Sequence, residues 1–406
     1  MRIDKFLNTV NITKRRSLAE DMCKSGVVKI NDKVVKPAKD VKVGDIIEIQ
    51  YLEKIKKFEV LQIPTTKTIP KSKKEEYVKE KMTYQEALEK FKLLFENKMS
   101  EQEAKKFLIE LYEKEETATE IAAAASVMRE HSIKLPVPED LREKLIDNCG
   151  TGGDKSNTFN ISTTVSIVLA SAGAYVAKHG NRSITSKSGS ADMLEALGIN
   201  LNLSPENQVK MLEDTGFCFI FAQNHHPAMK YIMPIRKSLT HRTIFNILGP
   251  LTNPAGVKKQ LIGVFSPNYV EKIVDALVML DTKKAMVVSS LDGMDEISIE
   301  SNTRAAFYDG VRVKEMIINP NDYNLAGKKS NLIGGDAKEN AKITLSILDG
   351  EKSDRRNIVV LNTAAALMVD GKVDDLKSGV EMAEYLIDSG KAKEKLNQII
   401  KVSELF

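Results

Sequence analysis

Asp147-Asn148-Cys149-Gly150-Thr151-Gly152-Gly153-Asp154, with Asn160-Ile161-Ser162-Thr163 shortly behind it, decides how this chain is read. Three glycines in four positions open backbone conformations closed to other residues. They also let amide N–H groups approach an anion, and a helix starting near Ser162 would add its partial positive charge at the same place. The Ser and Thr hydroxyls can hold phosphate oxygens or a hydrated Mg²⁺. The loop lacks the Gly-Lys-Ser/Thr of a Walker A sequence and the spacing of a Gly-x-Gly-x-x-Gly dinucleotide fingerprint. It reads as a phosphate cradle of another kind.

Outward from the loop, residues 141–406 have the texture of an α/β domain. A second small-residue turn at 187–190 precedes a helical pattern at 191–197, as the glycine loop precedes one at 161–172. Apolar runs at 260–265, 285–289 and 357–361 look like buried strands. Their alternation with helices implies a largely parallel central sheet. Upstream, 84–92, 101–113 and 118–131 have helical periodicity. They form a helical domain over 81–140, closed by Pro136 and Pro138 and joined by helices from about 205–240.

Three further constellations carry chemistry. Lys178-His179-Gly180-Asn181-Arg182, continuing to Ser188-Gly189-Ser190-Ala191-Asp192, brings a cation, two hydrogen-bonding side chains and a small-residue turn. Lys178 suits a phosphate as a point charge. Asp292-Gly293-Met294-Asp295-Glu296 places carboxylates on a turn; alone they read as solvated, but beside two phosphate-type loops they suit Mg²⁺, which takes one or two carboxylates plus water and phosphate oxygens. His225-His226-Pro227 leads through Arg236 and Arg242 to Gly249-Pro250-Leu251-Thr252-Asn253-Pro254. No acidic residue completes a zinc motif around the His pair. Arg236 can fork onto a carboxylate.

These four motifs, in this order, resemble the anthranilate phosphoribosyltransferase family from about Lys81 to Phe406. The resemblance implies a helical domain hinged to an α/β domain of the nucleoside phosphorylase/phosphoribosyltransferase type, and a homodimer formed through the helical domain. It implies an Mg²⁺-dependent glycosyltransferase joining phosphoribosyl pyrophosphate (PRPP) to anthranilate in tryptophan biosynthesis. Gly150, Thr151, Gly152, Gly153, Asp154, Thr158, Asn160, Ser162, Thr163, Lys178 and Ser190 would hold PRPP. Ser162, Asp295 and Glu296 would contact Mg²⁺. Gly150, His179, Asn181, Arg236, Gly249 and Pro250 would line the anthranilate route, with Lys178, Arg236 and Asn181 closest to catalysis. Two departures stand out: Thr240 where the family usually has Gly, and Met294 where Leu is usual.

The first fifth of the chain differs. The 406 residues carry 60 Lys+Arg and 56 Asp+Glu, a net charge of +4. Residues 1–80 hold 19 basic and 12 acidic side chains, a local excess of +7, so the remainder nets −3. Such polarity points to an anionic partner for that segment. No apolar stretch is long enough to span a membrane and no signal segment follows Met1, so a cytoplasmic protein is expected. Cys23, Cys149 and Cys218 suggest neither disulfides nor zinc.

Within residues 1–62, Ile3, Phe6, Leu7 and Val10 share one helical face, and Thr13 is a plausible cap for a second helix over 14–25, ended by Gly26. Asn31-Asp32 is a turn between short strands, and 46–51 alternates like a strand. Residues 63–80 read as a polar linker. The order of two helices and a small sheet, with its basic residues, resembles the alpha-L RNA-binding motif, closest to small ribosome-associated heat-shock-type proteins. The resemblance implies a small α+β domain contacting structured RNA, ribosomal or transfer, through Arg2, Lys14, Arg15, Arg16 and Lys36. Two competing readings remain: a nucleic-acid-binding paralogue of the transferase fold without anthranilate activity, and a pyrimidine-nucleoside phosphorylase. Asn181, Arg236, Asp295 and Glu296 favour the transferase.

Overall fold

The computed structural model describes residues 1–51, 54–182 and 187–406. The chain forms two compact units, Met1–Glu89 and Lys90–Phe406.

In the first unit, α1 (Ile3–Thr9) and α2 (Arg16–Lys24) precede β1 (Val28–Ile30), β2 (Lys33–Val34), β3 (Ile46–Tyr51) and β4 (Lys54–Val60). A four-residue helix, α3 (Lys74–Tyr77), leads into β5 (Val78–Lys81). The antiparallel sheet runs β2-β1-β3-β4-β5. Ile3, Phe6, Leu7 and Val10 are fully buried against a core that includes Val28, Ile47 and Phe58. Asn31 and Asp32 have φ of 49° and 64°, the geometry of a tight hairpin turn, and set Ile30 opposite Lys33.

Two expectations fail here. Thr13 does not cap α2, which starts at Arg16; Thr13 is itself buried, so its hydroxyl is unavailable at the helix end. Residues 63–80 are not a bare linker. Ile69 and Val78 enter the core of the unit, and β5 pairs with β4 from Lys57↔Lys81 to Val60↔Val78. Strand pairing satisfies backbone groups, which a reading of side-chain polarity does not register.

α4 (Tyr84–Phe95) spans the join between the units. Then α5 (Glu101–Lys114) and α6 (Ala118–Glu130) open on capping boxes, Ser100 with Glu103 and Thr117 with Glu120. The α/β part follows: α7 (Glu139–Arg142), β6 (Leu145–Gly150), α8 (Ile161–Ser171), β7 (Tyr175–Gly180), α9 (Ser190–Ala196), α10 (Pro205–Thr215), β8 (Phe217–Phe221), α11 (Ala222–His225), α12 (Met229–Lys237) and α13 (Phe245–Leu248). It continues with β9 (Lys259–Gly263), α14 (Asn268–Met279), β10 (Lys284–Ser290), β11 (Thr303–Tyr308), β12 (Val313–Ile318), α15 (Ala337–Leu348), α16 (Asp354–Asp370), α17 (Leu376–Asp388) and α18 (Lys391–Ser403).

The sheet order is β12-β11-β10-β9-β6-β7-β8. β6 to β10 are mutually parallel, and β11 and β12 add an antiparallel edge. β6 lies between β7 and β9, so the chain leaves it on one side and later returns on the other. That switch opens a crevice at the carboxyl ends of the strands.

Residues 357–361 form no strand. They lie in α16, where Ile358, Val359, Val360 and Leu361 are all fully buried. A helix buried all round loses the polar stripe that would betray its period. α10 packs on β7, β8 and α18 rather than on the helical bundle, whereas α12 meets α5 and α13 meets α6. Only the later part of the 205–240 stretch therefore joins the bundle. Among the described residues no helix is long and apolar enough to cross a membrane. The three cysteines are free thiols.

Candidate active site

Gly150 closes β6, Gly263 closes β9, Gly180 closes β7, and Asp295 follows β10 on its loop. All four chain segments therefore meet at the crevice. Asp295 wedges between the first two glycines. A Cβ on Gly150 would lie 2.2 Å from Asp295 Oδ2, and one on Gly263 would lie 1.6 Å from the Asp295 carbonyl oxygen. The glycines at these two places are thus required by close approach. At Gly152 and Gly153 the requirement is conformational, with φ of 69° and 74°.

The loop's amides are partly engaged within the protein. Thr151 N–H donates to the Gly263 carbonyl at 2.9 Å, and Gly152 N–H donates to Asp295 Oδ2 at 2.7 Å. Asp295 is almost buried, and its carboxyl is pushed upward first by burial and next by the negative charge of Asp154. Glu296 is also pushed well up, by burial and then by Asp295, while the Ser162 N–H at the start of α8 opposes the shift. Asp154, Asp295 and Glu296 thus form one crowded acidic group, with Ser162 beside it. Their oxygens are hard donors of the kind Mg²⁺ takes, although no group of three His, Cys, Asp or Glu among the described residues has the geometry of an all-protein metal cage.

Lys178 is 1% exposed. Its ammonium donates to the Asn148 carbonyl at 2.8 Å and the Ser162 hydroxyl at 3.3 Å. It therefore ties β6 to the first turn of α8, which leaves one donor for a ligand. Asn148 completes this tie, donating to the Ser162 carbonyl at 2.7 Å and accepting from Ser166 Oγ at 2.6 Å. Beneath it, Asp147 accepts from His179 N at 3.3 Å and Asn253 Nδ2 at 2.9 Å. Burial pushes its carboxyl up to about 6, against the pull of Lys178.

Asn160 caps α8 through its position and not its side chain. Its side chain instead donates to the Ser188 carbonyl at 3.3 Å and accepts from Asn340 Nδ2 at 2.9 Å. Thr158 bridges to Ile333, and the Thr163 hydroxyl is buried without a partner among the described residues. Ser190 opens α9 against Gly180, whose absent Cβ would sit 3.2 Å from Ser190 Cβ.

On the acceptor side, His179 Nδ1 lies 3.1 Å from the Gly249 carbonyl, and its ring meets that of His226 edge-on at 5.3 Å. Burial holds His179 down at about 3 and His226 at about 4, so both rings are neutral near pH 7. Pro250 accepts from Gln260 at 2.6 Å. Asn181 Oδ1 accepts from Arg182 N at 2.9 Å. Arg236 is partly buried over the Phe245 ring at 5.6 Å, and its Nη1 donates to Met233 Sδ at 3.7 Å. The structure thus brings Gly150–Asp154, Ser162, Lys178, Asp295 and Glu296 together, and joins His179 to Gly249. It shows no contact linking Arg236 to Asn181 or His179.

Thr240 is exposed, and its φ is not in the left-handed region, so the side chain fits without strain. Met294 is fully buried in the core. Sequence reasoning left Asn148, Asp147, Asn253, Asn340, His226 and Gly263 without roles. Asp147, Asn148, Asn253 and His226 stood in quoted motifs without an assigned role, while Asn340 and Gly263 stood in none. In the first unit, Arg2 and Arg16 both fork onto the fully buried Asp4, at 3.1 and 2.8 Å. Lys14, Arg15 and Lys36 are exposed.

Comparison with known proteins matches residues 142–393 to the α/β domain of a glycosyl transferase family and 72–132 to its helical bundle domain. Residues 1–47 match the S4 domain. The chain is 48% identical to anthranilate phosphoribosyltransferase of Methanobrevibacter smithii over 303 residues, 74% of this chain and 89% of that protein. It is 44% identical to the Petrotoga mobilis enzyme of the same name, over 79% of this chain and 93% of that one. Among solved structures, anthranilate phosphoribosyltransferase from Thermus thermophilus superposes with a TM-score of 0.75 at 37% identity, covering 80% of this chain and 96% of that one. The Saccharomyces cerevisiae enzyme in complex with PRPP and Mg gives 0.72 at 26% identity, covering 80% and 94%.

Proposed function

The chain belongs to the anthranilate phosphoribosyltransferase family, and from that premise we propose that it moves the phosphoribosyl group of PRPP onto the amine of anthranilate, releasing pyrophosphate, with Mg²⁺ as the metal. The observation that carries the reading is the wedge of Asp295 between Gly150 and Gly263, which sets carboxylates beside a glycine loop at the sheet's switch point.

As pyrophosphate departs, positive charge develops at C1 of the ribose and negative charge on the leaving group. The start of α8, with Ser162, and the remaining Lys178 donor face the leaving group. Bound at Asp295 and Glu296, Mg²⁺ would offset pyrophosphate charge. Arg236 takes the anthranilate carboxylate and Asn181 orients the ring, so the weak amine nucleophile is positioned for attack. The neutral imidazole of His179 suits a contact with an aromatic acceptor and leaves the amine unprotonated. A homodimer through the helical bundle belongs to this reading. The S4 module is read as binding structured RNA, with exposed Lys14, Arg15 and Lys36 on phosphates.

The test is turnover. Purified protein with PRPP, Mg²⁺ and anthranilate is expected to consume anthranilate fluorescence, and chelation by EDTA is expected to stop it. Folded protein that leaves anthranilate untouched would overturn the assignment.

A further inference from the structure

The stretch between α12 and α13 holds two side chains that reach in different directions. The His241 ring stacks on Tyr112 of α5, with centroids 4.1 Å apart and planes 16° from parallel. The next residue, Arg242, lays its guanidinium 3.7 Å above the Phe265 ring and donates through Nη2 to the Gly153 carbonyl at 2.5 Å. Phe265 meets Tyr269 edge-on at 5.3 Å, and the Tyr269 hydroxyl donates to Glu116 at 3.1 Å. Glu116 lies between α5 and α6 and is 2% exposed. Two lines of contact thus run from the helical bundle and converge on Arg242, which touches the glycine loop.

What Arg242 holds matters chemically. In a planar trans peptide the C=O and the following N–H point in opposite directions. Fixing the Gly153 carbonyl therefore aims the Asp154 N–H away from Arg242. Since the Thr151 and Gly152 amides are already engaged, the direction of this later amide decides what the loop can offer an anion. Gly153 has φ of 74°, one of several conformations open to glycine, so a hydrogen bond to its carbonyl narrows the choice. Arg242 Nη1 is buried with no partner among the described residues, a cost that ordinary packing seldom tolerates.

We propose that Arg242 is a positioning residue for the PRPP loop, which sets the Gly153–Asp154 peptide for the pyrophosphate and ties its orientation to the helical bundle through Phe265, Tyr269 and Glu116. The inference rests on the PRPP reading of the loop.

The test uses the full chain with Arg242→Lys, Tyr269→Phe and the double variant. Lysine keeps the charge but loses the fork and the flat stack. Arg242→Lys is expected to raise the KM for PRPP about tenfold or more, the scale of one charge-assisted hydrogen bond, while the KM for anthranilate moves by less than about threefold. Tyr269→Phe, which removes only the hydroxyl that reaches Glu116, is expected to shift the PRPP KM in the same direction by a smaller factor. The double variant should match Arg242→Lys, because Tyr269 acts through Arg242. An unchanged PRPP KM in Arg242→Lys, equal rises in both KM values, or multiplying effects in the double variant would overturn the proposal. Should Arg242→Lys not fold, Tyr269→Phe alone decides, and an unchanged PRPP KM there refutes the relay. Calorimetric titration with PRPP and Mg²⁺ separates the two readings. Wild-type protein that binds PRPP but leaves anthranilate unused refutes the transferase assignment, while weaker PRPP binding by Arg242→Lys still upholds the positioning role. Wild-type protein that binds no PRPP overturns both.

Discussion

Gly150→Ala probes the wedge at the centre of the site. The new methyl would stand 2.2 Å from Asp295 Oδ2, more than 1 Å inside ordinary contact, which begins at 3.4 Å. The carboxylate has room to yield only by rotating away from the loop, and that breaks the 2.7 Å hydrogen bond from Gly152 N–H. A hydrogen bond to a charged group contributes about 1.5–3 kcal/mol, so its loss predicts a fall in kcat/KM for PRPP of about 10- to 100-fold. Overpacking itself costs about 1–3 kcal/mol and lowers the Tm by a few degrees. Gly263→Ala is the comparison. Its methyl would stand 1.6 Å from the Asp295 backbone oxygen, so no side-chain rotation relieves it, and a larger loss of Tm is expected. The assay is anthranilate fluorescence with PRPP and Mg²⁺ varied in turn, beside thermal unfolding. Gly150→Ala with wild-type PRPP kinetics and an unaltered Mg²⁺ requirement would refute the idea that Asp295 must stay seated on Gly152.

Further outcomes follow from the same geometry. Arg236→Ala should raise the KM for anthranilate about tenfold or more and leave PRPP binding nearly intact; equal losses would remove it from the acceptor side. Lys14→Ala/Arg15→Ala should weaken RNA binding and flatten its salt dependence by up to about two phosphate contacts, with Tm unchanged. Arg16→Ala should instead lower the Tm, since it uncovers the fully buried Asp4; the reverse pattern would contradict this division. His179 and His226 stay neutral down to about 3 and about 4. Their folded values lie below the unfolded value of 6.5, so they hold stability above that pH and lose it as pH falls toward 4. A histidine-like inflection in kcat between pH 6 and 8 that vanishes in His179→Asn would count against it. Asp147 has the opposite sign: raised from 3.8 to about 6, its contribution is present below pH 3.8 and lost as pH rises through 6. Asp147→Asn should therefore shift the slope of Tm against pH upward between pH 4 and 6, and an unchanged slope would refute it.

Short-range chemistry was legible in the sequence. The Asn31-Asp32 turn and the helix opening just after Asn160 depend on residues a few positions apart. What was missed depends on distant partners. Asn253 reaches Asp147 across 106 positions, Arg242 reaches Gly153 across 89, and Asn340 reaches Asn160 across 180. Asn253 and Arg242 stand in a quoted motif, but nothing in the motif's local chemistry names a partner so far along the chain, and Asn340 stands in no motif. The two errors of secondary structure have one cause as well. The 357–361 run is buried all round within α16, and the 74–81 stretch is held by strand pairing amid Lys and Glu. In both, the tertiary environment replaced the alternation by which a period is read. Lys178 shows the limit at the site itself, since its ammonium is engaged mainly by Asn148 and Ser162.

The glycine loop first suggests backbone amides cradling a phosphate, but its geometry assigns them a different first duty. Thr151 N–H joins β6 to β9, and Gly152 N–H holds Asp295. The Ser162 N–H at the start of α8 lies toward Glu296 and opposes the upward push on its carboxyl. Two amides that would attract an anion are thus occupied by the protein itself, one of them by a carboxylate. Asp154 crowds the same space and raises Asp295 further. In their ionised forms these carboxylates would repel an approaching pyrophosphate, strongly where water is scarce. On the proposed reading, a divalent cation held by Asp295 and Glu296 would offset that repulsion. The Gly152 amide then helps seat Asp295 where it and Glu296 would hold Mg²⁺, which would supply charge to offset the pyrophosphate. The glycines at 150 and 263 then serve chiefly to let Asp295 come close enough to be held.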